Sequence, residues 1–162
     1  MFLDDLALND TTGGSDNSWC GDGYVECLIP DGNGDRSDLT GSDGNKVDNY
    51  LQVDEVPSDG DATYNESGTA GEYDLYALAA FDGTNKTIRR VYVEARARST
   101  GAVGDQCKLV VKTGGIVYKS SALSLGSNYE RQVGTDYTLN PNSGIAWTDA
   151  DLDALQAGLE VV

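Results

Sequence analysis

The sequence predicts a mainly β fold, an antiparallel β-sandwich or jelly-roll-like domain with one C-terminal helix. Short β-rich runs recur with turns rich in Gly, Asp and Pro between them, a spacing typical of all-β domains. Residues 87–99 alternate between apolar and charged or polar side chains, which indicates a half-buried antiparallel strand. Residues 147–159 alone have the capping and leucine spacing of a helix. We therefore treat residues 1–162 as a single β-rich domain.

The first half of the chain predicts few strands and long polar loops. Residues 2–8 alternate loosely, which indicates a first strand or an extended arm, and residues 1–20 as a whole are a candidate extended N-terminal arm. Residues 24–29 and 50–53 are short strand candidates, and a proline follows each. Residues 31–49 and 58–71 are rich in Asp and Gly, so we expect loops there, with almost no apolar side chain to anchor them.

The second half predicts a denser set of strands. Residues 72–78 alternate, and residues 107–112 form a β-rich run. Gly114 and Gly115 follow, and a glycine pair favours a hairpin turn because glycine accepts positive φ at both central positions. The remaining strand candidates are residues 116–118, 122–125 and 129–137.

The helix predicted for residues 147–159 has a recognisable start. Thr148 is a good N-cap residue, and Asp149 and Asp151 lie in the first turn, where the helix dipole favours acidic groups. Gly158 is a candidate terminator. Three leucines form an apolar stripe at helical spacing: Leu152, Leu155 and Leu159.

The charge distribution excludes some classes of partner. The formal net charge is −16, and all of it lies on residues 1–81, which hold 18 acidic residues against Arg36 and Lys46. Such a surface repels nucleic-acid phosphates, so we expect no nucleic-acid partner. The apolar stretches are too short to span a bilayer, so we expect no membrane partner.

The residue inventory argues against catalysis. The chain has no histidine, which removes the Ser-His-Asp and Cys-His arrangements and most zinc sites. A carboxylate-based glycosidase is the remaining enzymatic hypothesis, but among 27 acidic residues some pair is always suitably spaced, so spacing carries no weight. We therefore expect no enzyme, no catalytic residue and no organic cofactor.

One string suggests a metal. Asp31, Asn33 and Asp35 place oxygen ligands at alternate positions, as calcium prefers. Arg36 stands where an EF-hand loop needs glycine, and the closing glutamate is missing. The alternative is an ordinary Asp/Gly/Asn turn, and we expect no cofactor beyond this weak calcium candidate.

The three cysteines leave at least one free thiol. Cys20 and Cys27 are close enough in sequence to pair across a turn. Cys107 lies in an apolar strand and fits a small core residue. Our expectation is a reduced protein without a disulfide, which leaves pairing of the first two cysteines as the alternative.

Two groups of residues are candidates for contacts with a protein partner. A basic stripe along residues 87–99 faces away from the apolar side, and it is either an interface or a solvated strand face. Trp147 and most tyrosines fit a core, whereas Trp19 fits a core or a surface equally. The interface candidates are Phe2, Leu3 and Leu6 of the predicted arm, Trp19, and Arg90, Arg96 and Arg98 of the stripe.

An ordered series of short motifs runs along the whole chain. The motifs are Leu3–Asp5, Asn9–Gly13, Asn17–Trp19, Gly21–Gly23, Val53–Pro57, Thr69–Gly71, Val91–Ala97, Gly114–Tyr118 and Asn140–Thr148. Each motif is short, but in this order they resemble structural proteins of tailed bacteriophages.

The resemblance implies a virion protein. A stand-alone module of this size is most similar to a capsid decoration, or cement, protein. Such a protein binds the major capsid protein on the outer capsid surface as a homo-oligomer, with a trimer expected, after synthesis in the host cytoplasm. In longer relatives the Leu-Asp-Asp strand resembles the last strand of a lectin-like sandwich. The alternative is therefore a tail or fibre module that recognises host-surface carbohydrate.

Overall fold

A computed structural model describes residues 25–83, 86–101 and 105–162. Within these ranges the chain forms ten strands, one 3₁₀ helix and one α-helix. The helices are the 3₁₀ helix Asn49–Gln52 and α1 Asp149–Asp153. The strands are β1 Pro30–Ser37, β2 Thr40–Gly41, β3 Asn65–Glu66, β4 Asp74–Leu78, β5 Glu94–Ala97, β6 Gln106–Thr113, β7 Ile116–Lys119, β8 Leu123–Ser124, β9 Glu130–Val133 and β10 Gln156–Val161.

The strands form a main sheet and smaller pairs, all antiparallel. The main sheet has the order β1-β4-β10-β6-β7, and β8 also pairs with β6. The second layer is the pair β5–β9, prolonged by a bridge between Val91 and Tyr137. β2 pairs with β3 beside the start of β4. The predicted mainly β, antiparallel sandwich with one short C-terminal helix is therefore confirmed.

The core lies between the two layers. Trp147, Leu152 and Leu155 surround Val111 of β6, and Val91 and Val93 pack against this cluster from the second layer. Trp147 is 5% exposed and donates its indole N–H to the Tyr137 carbonyl at 3.0 Å. The core role predicted for Trp147 is confirmed.

The prediction of one helix over residues 147–159 was wrong in its extent. α1 begins after the Thr148 cap, where Thr148 and Asp151 form a capping box, and it ends at Asp153. The chain then continues as β10, which pairs with β6 along its whole length and with β4 at its start. Pairing on both edges outweighs the helical leucine spacing. Gly158 therefore lies inside a strand, where any side chain would collide with the Asp74 carbonyl.

The predicted loop 31–49 and the predicted strand 24–29 also needed correction. Residues 25–29 form no strand, and β1 occupies the start of the predicted loop. β1 carries almost no apolar side chain, but its backbone pairs with β4. A side chain on Gly34 would collide with the Leu75 carbonyl, so glycine lets the two backbones approach closely. Residues 50–52 of the predicted strand 50–53 lie instead in the 3₁₀ helix, and Val53 is its C-cap.

Several strand predictions are confirmed. The run at 107–112 lies within β6, and Gly114 and Gly115 form the hairpin turn to β7 with φ angles of 57° and 81°. The predicted strand 87–99 keeps its inside–outside alternation over residues 90–97, but ladder pairing covers only β5. Cys107 is fully buried, as predicted, and Cys27 is exposed, both with free thiols. Residues 1–20, including the predicted arm, and Cys20 lie outside the described residues.

A buried carboxylate holds the acidic first half to the main sheet. Asp74 is 0% exposed. One of its oxygens accepts the backbone N–H groups of Asp38 and Leu39, at 2.7 and 2.8 Å. The other accepts the Asn49 amide at 2.6 Å and the Tyr76 hydroxyl at 3.1 Å. A buried charge is tolerated only when it is hydrogen-bonded in this way.

Asp74→Ala should destabilise the protein by about 3 kcal/mol or more, because it leaves buried donors without an acceptor. Urea unfolding followed by circular dichroism measures the change. Asp31→Ala is the matched control, since Asp31 is exposed on β1, and its effect should stay within about 0.5 kcal/mol. Equal losses in the two variants would contradict the assigned role of Asp74.

The two described cysteines should differ sharply in reactivity. Burial raises the pKa of the Cys107 thiol to about 11, and the thiolate is the reactive form. N-ethylmaleimide at pH 7.5 should label Cys27 in the folded protein and Cys107 only after urea unfolding. Peptide mass spectrometry separates the two sites, and equal labelling rates in the folded protein would refute this prediction.

Candidate interaction surface

The most distinctive polar surface of the described chain is the outward side of the β5–β9 layer. We define the arginine face as Arg90, Tyr92, Glu94, Arg96 and Arg98 on the first strand segment and Arg131 on β9. These side chains point outward because inward positions on the same segment carry valine and alanine that are partly buried. The structure thus brings together the three predicted interface arginines: Arg90, Arg96 and Arg98.

Most charges on the arginine face are paired within the chain. Arg131 makes a two-pronged contact with Glu94, at 2.5 and 2.7 Å. Arg90 pairs with Asp136 at 2.8 Å. These pairs neutralise the charges of Arg90 and Arg131, so the face is less basic than its number of arginines suggests.

Arg98 connects the arginine face to the acidic first half. It pairs with Asp61 at 2.7 Å and stacks over the Tyr129 ring, with 4.8 Å to the ring centroid. The Tyr129 hydroxyl donates to the same Asp61 carboxylate at 3.0 Å. Partial burial, together with the hydrogen bond to Asp61, raises the pKa of Tyr129. The three side chains therefore form one compact unit at the edge of the face.

Arg96 is the residue whose charge stays available. Within the described residues it donates to the Tyr129 carbonyl at 3.4 Å and has no carboxylate partner. It lies directly opposite Arg131 in the β5–β9 register. Like charges in that position repel. Glu94 weakens the repulsion by pairing with Arg131, and it leaves Arg96 unpaired with a carboxylate among the described residues. Arg96 is thus suited to meet a carboxylate on another molecule.

Sequence reasoning placed Glu94 on this surface by alternation but missed Arg131, Asp61 and Asp136 as members of it. Arg131 lies in a predicted strand, so its outward direction was readable from alternation. Its contact with Glu94 could not be predicted, because the sequence does not indicate that residues 129–137 pair with residues 87–99. Phe2, Leu3, Leu6 and Trp19, the other predicted interface residues, lie outside the described residues.

The calcium candidates are not in a loop. Asp31, Asn33 and Asp35 lie at alternate positions of β1, so an extended backbone sets the outer two roughly 13 Å apart. Asn33 donates its amide to Asp48 at 2.7 Å. Asp35 pairs with Lys112, which together with Gln156 lowers the pKa of Asp35. Across residues 25–83, 86–101 and 105–162, no group of three or more His, Cys, Asp or Glu is arranged for a metal ion.

Two further observations complete the description. No helix in the described part of the chain has the length and apolar character needed to cross a membrane. Comparison with protein-family models, curated proteins and solved structures gives no match to this chain.

The Glu94–Arg131 pair should make stability depend on pH in a predictable direction. The hydrogen bonds from Arg131 lower the pKa of Glu94 below its ordinary value of 4.5. The stabilisation is therefore present above about pH 4.5 and is lost as the pH falls through the lower pKa of the folded state. Glu94→Gln should cost about 0.5 kcal/mol at pH 7, since the pair is exposed, and progressively less as the pH falls below about 4.5.

Unfolding free energies at several pH values, for the wild type and the variant, measure this difference. Glu130→Gln is the control, because Glu130 is exposed on β9 and has no ion pair among the described residues. A difference between wild type and Glu94→Gln that persists unchanged to pH 2 would contradict the ion-pair account.

Proposed function

We propose that this chain is a bacteriophage virion structural protein, a capsid decoration protein that binds the outer surface of the assembled shell and stabilises it. Its partners are the major capsid protein and further copies of itself, with a trimer as the expected oligomer. The mechanism is mechanical, because a rigid β-domain that bridges neighbouring capsid subunits adds contacts that must break before the shell bursts. Binding only to the assembled shell stabilises that state by mass action.

The proposal rests on one observation, the positions in the fold of the motifs that resemble phage structural proteins. Three motifs within the described residues, Val91–Ala97, Gly114–Tyr118 and Asn140–Thr148, occupy framework positions rather than a cluster of reactive groups. Gly114–Tyr118 forms the β6–β7 hairpin, and Val91–Ala97 supplies the inward-facing residues of the second layer. A motif series that specifies a scaffold supports a structural role more than a catalytic one.

The motif Asn140–Thr148 illustrates this framework role most clearly. Asn140 is 1% exposed, and its side-chain oxygen accepts the Asn142 backbone N–H at 2.9 Å. Gly144, at a φ of 72°, closes the turn by donating to the Asn140 carbonyl at 2.8 Å. The turn delivers Trp147 to the core and Thr148 to the helix cap. Every side chain of this motif with a defined contact serves the fold.

The arginine face supports the choice of a protein partner. It combines an available guanidinium at Arg96 with Tyr92, which is 37% exposed, and Arg and Tyr are enriched at protein interfaces. The acidic first half, which carries the net charge of −16, suits the side turned towards solvent. We therefore orient the arginine face towards the capsid.

The test is co-sedimentation of the purified chain with expanded, undecorated shells of the major capsid protein from the same phage. Wild-type protein should sediment with the shells, and Arg96→Glu should lose roughly tenfold or more in affinity, because it turns an attraction into a repulsion. Arg36→Glu is the matched control with the same charge change, and it should bind like wild type because Arg36 lies on β1, away from the β5–β9 layer.

Circular dichroism confirms that both variants are folded before binding is compared. No retention of the wild-type protein on the shells would refute the proposal. Retention that both variants lose equally would place the contact elsewhere than on the arginine face. Binding of the wild type to glycans but not to shells would favour the carbohydrate-recognition alternative.

A further inference from the structure

An open groove runs between the two layers of the sandwich. We call it the intersheet groove. One wall is the inner side of the main sheet, with Leu78, Leu159 and Val161, and the other is the second layer, with Ile88, Val91 and Val93. All six side chains are only partly buried. Leu78, Ile88, Val91 and Val93 pack on one side against the cluster around Trp147, and their remaining surface lines the groove.

These six residues occupy positions that are normally buried between the two sheets of a sandwich. Facing sheets lie about 10 Å apart, and the side chains of their inner faces interdigitate to fill the space. Here the second layer has only the pair β5–β9 against a six-stranded main sheet. It covers the cluster around Trp147 and leaves the apolar side chains of β10 partly open to solvent. A contiguous apolar surface of this kind marks a binding site for another apolar segment.

The chain itself contains a segment of suitable composition. Residues 2–8 hold Phe2, Leu3, Leu6 and Leu8, the densest apolar run before Val25. They lie outside the described residues. Seven extended residues span about 23 Å, a typical length for one strand of a sheet.

The connection also fits. The described chain begins at Val25, and residues 25–30 themselves line the intersheet groove. The 16 residues from 9 to 24 reach up to about 55 Å when extended, which allows residues 2–8 to return along the groove. A tether of this length gives an effective concentration in the millimolar range, so the chain's own segment outcompetes a free partner.

We propose that residues 2–8 bind in the intersheet groove of their own chain and complete its core. The proposal does not depend on the capsid role. It competes with the expectation that the same residues form an arm to a neighbouring subunit, and the two arrangements give different products in a cross-linking experiment.

The decisive experiment pairs Leu6→Cys with Leu159→Cys, in a full-length chain whose three native cysteines are replaced by alanine. Mild oxidation should give an intramolecular disulfide, seen as a faster monomer band without reductant and a mass loss of 2 Da. Because the exact register is unknown before the experiment, Leu78→Cys and Val93→Cys are tested as alternative partners. Lys108→Cys is the control, since Lys108 lies on the opposite face of the main sheet, beside Glu160.

Cross-linking within one chain at any groove position, with none at Lys108, supports the proposal. Disulfides formed only between chains, or equally at the control position, overturn it. Two further full-length variants test the same point without cross-linking. Leu6→Asp should lower the melting temperature by about 5 °C, while Ala7→Asp, which faces the other way in an extended segment, should lower it much less. Equal melting temperatures for the two variants overturn the proposal.

Discussion

The buried Asp74 carboxylate is the constraint on which the described part of the acidic half depends. Its four hydrogen-bond donors come from the β1–β2 connection, from the 3₁₀ helix and from β4 itself. Isolated burial of a carboxylate is too costly for the fold to tolerate. The segment 38–49, which has Leu39 as its only buried apolar side chain, must therefore wrap around this one group. Hydrogen bonds to Asp74 hold this segment in place, as buried apolar side chains hold the second half of the chain.

Close backbone approach is the second constraint, and glycine supplies it. β4 lies between β1 and β10, and on each side a glycine faces its backbone, Gly34 from β1 and Gly158 from β10. Neither position tolerates a side chain without displacement of β4. The order β1-β4-β10 in the main sheet thus rests on main-chain pairing and small residues. This explains how a strand as polar as β1 joins the sheet at all.

The predictability of each element follows from the kind of interaction that forms it. The β6–β7 hairpin and the alternation of residues 87–99 were predictable because local sequence specifies a turn and a buried face. β1 and β10 were not predictable from local sequence, because they become strands by pairing with segments that are distant in sequence. β10 in addition has the leucine spacing of a helix. The same holds for the surface. The outward direction of Arg96 followed from alternation, but the partners of Arg98 and Arg131 depend on which strands and loops the fold brings together.

The pairing of charges changes how the charge asymmetry of the chain should be interpreted. Asp35 and Asp61 of the acidic half pair with Lys112 and Arg98 of the second half within the same molecule. These two pairs form within the chain, so these two carboxylates are not available to the basic strand of another copy. The interface proposed at the arginine face would then gain its affinity from shape, from aromatic surface and from the charge of Arg96, which has no carboxylate partner among the described residues. Net charge acts at longer range, where it keeps the acidic sides of neighbouring copies apart and disfavours contacts other than the intended one.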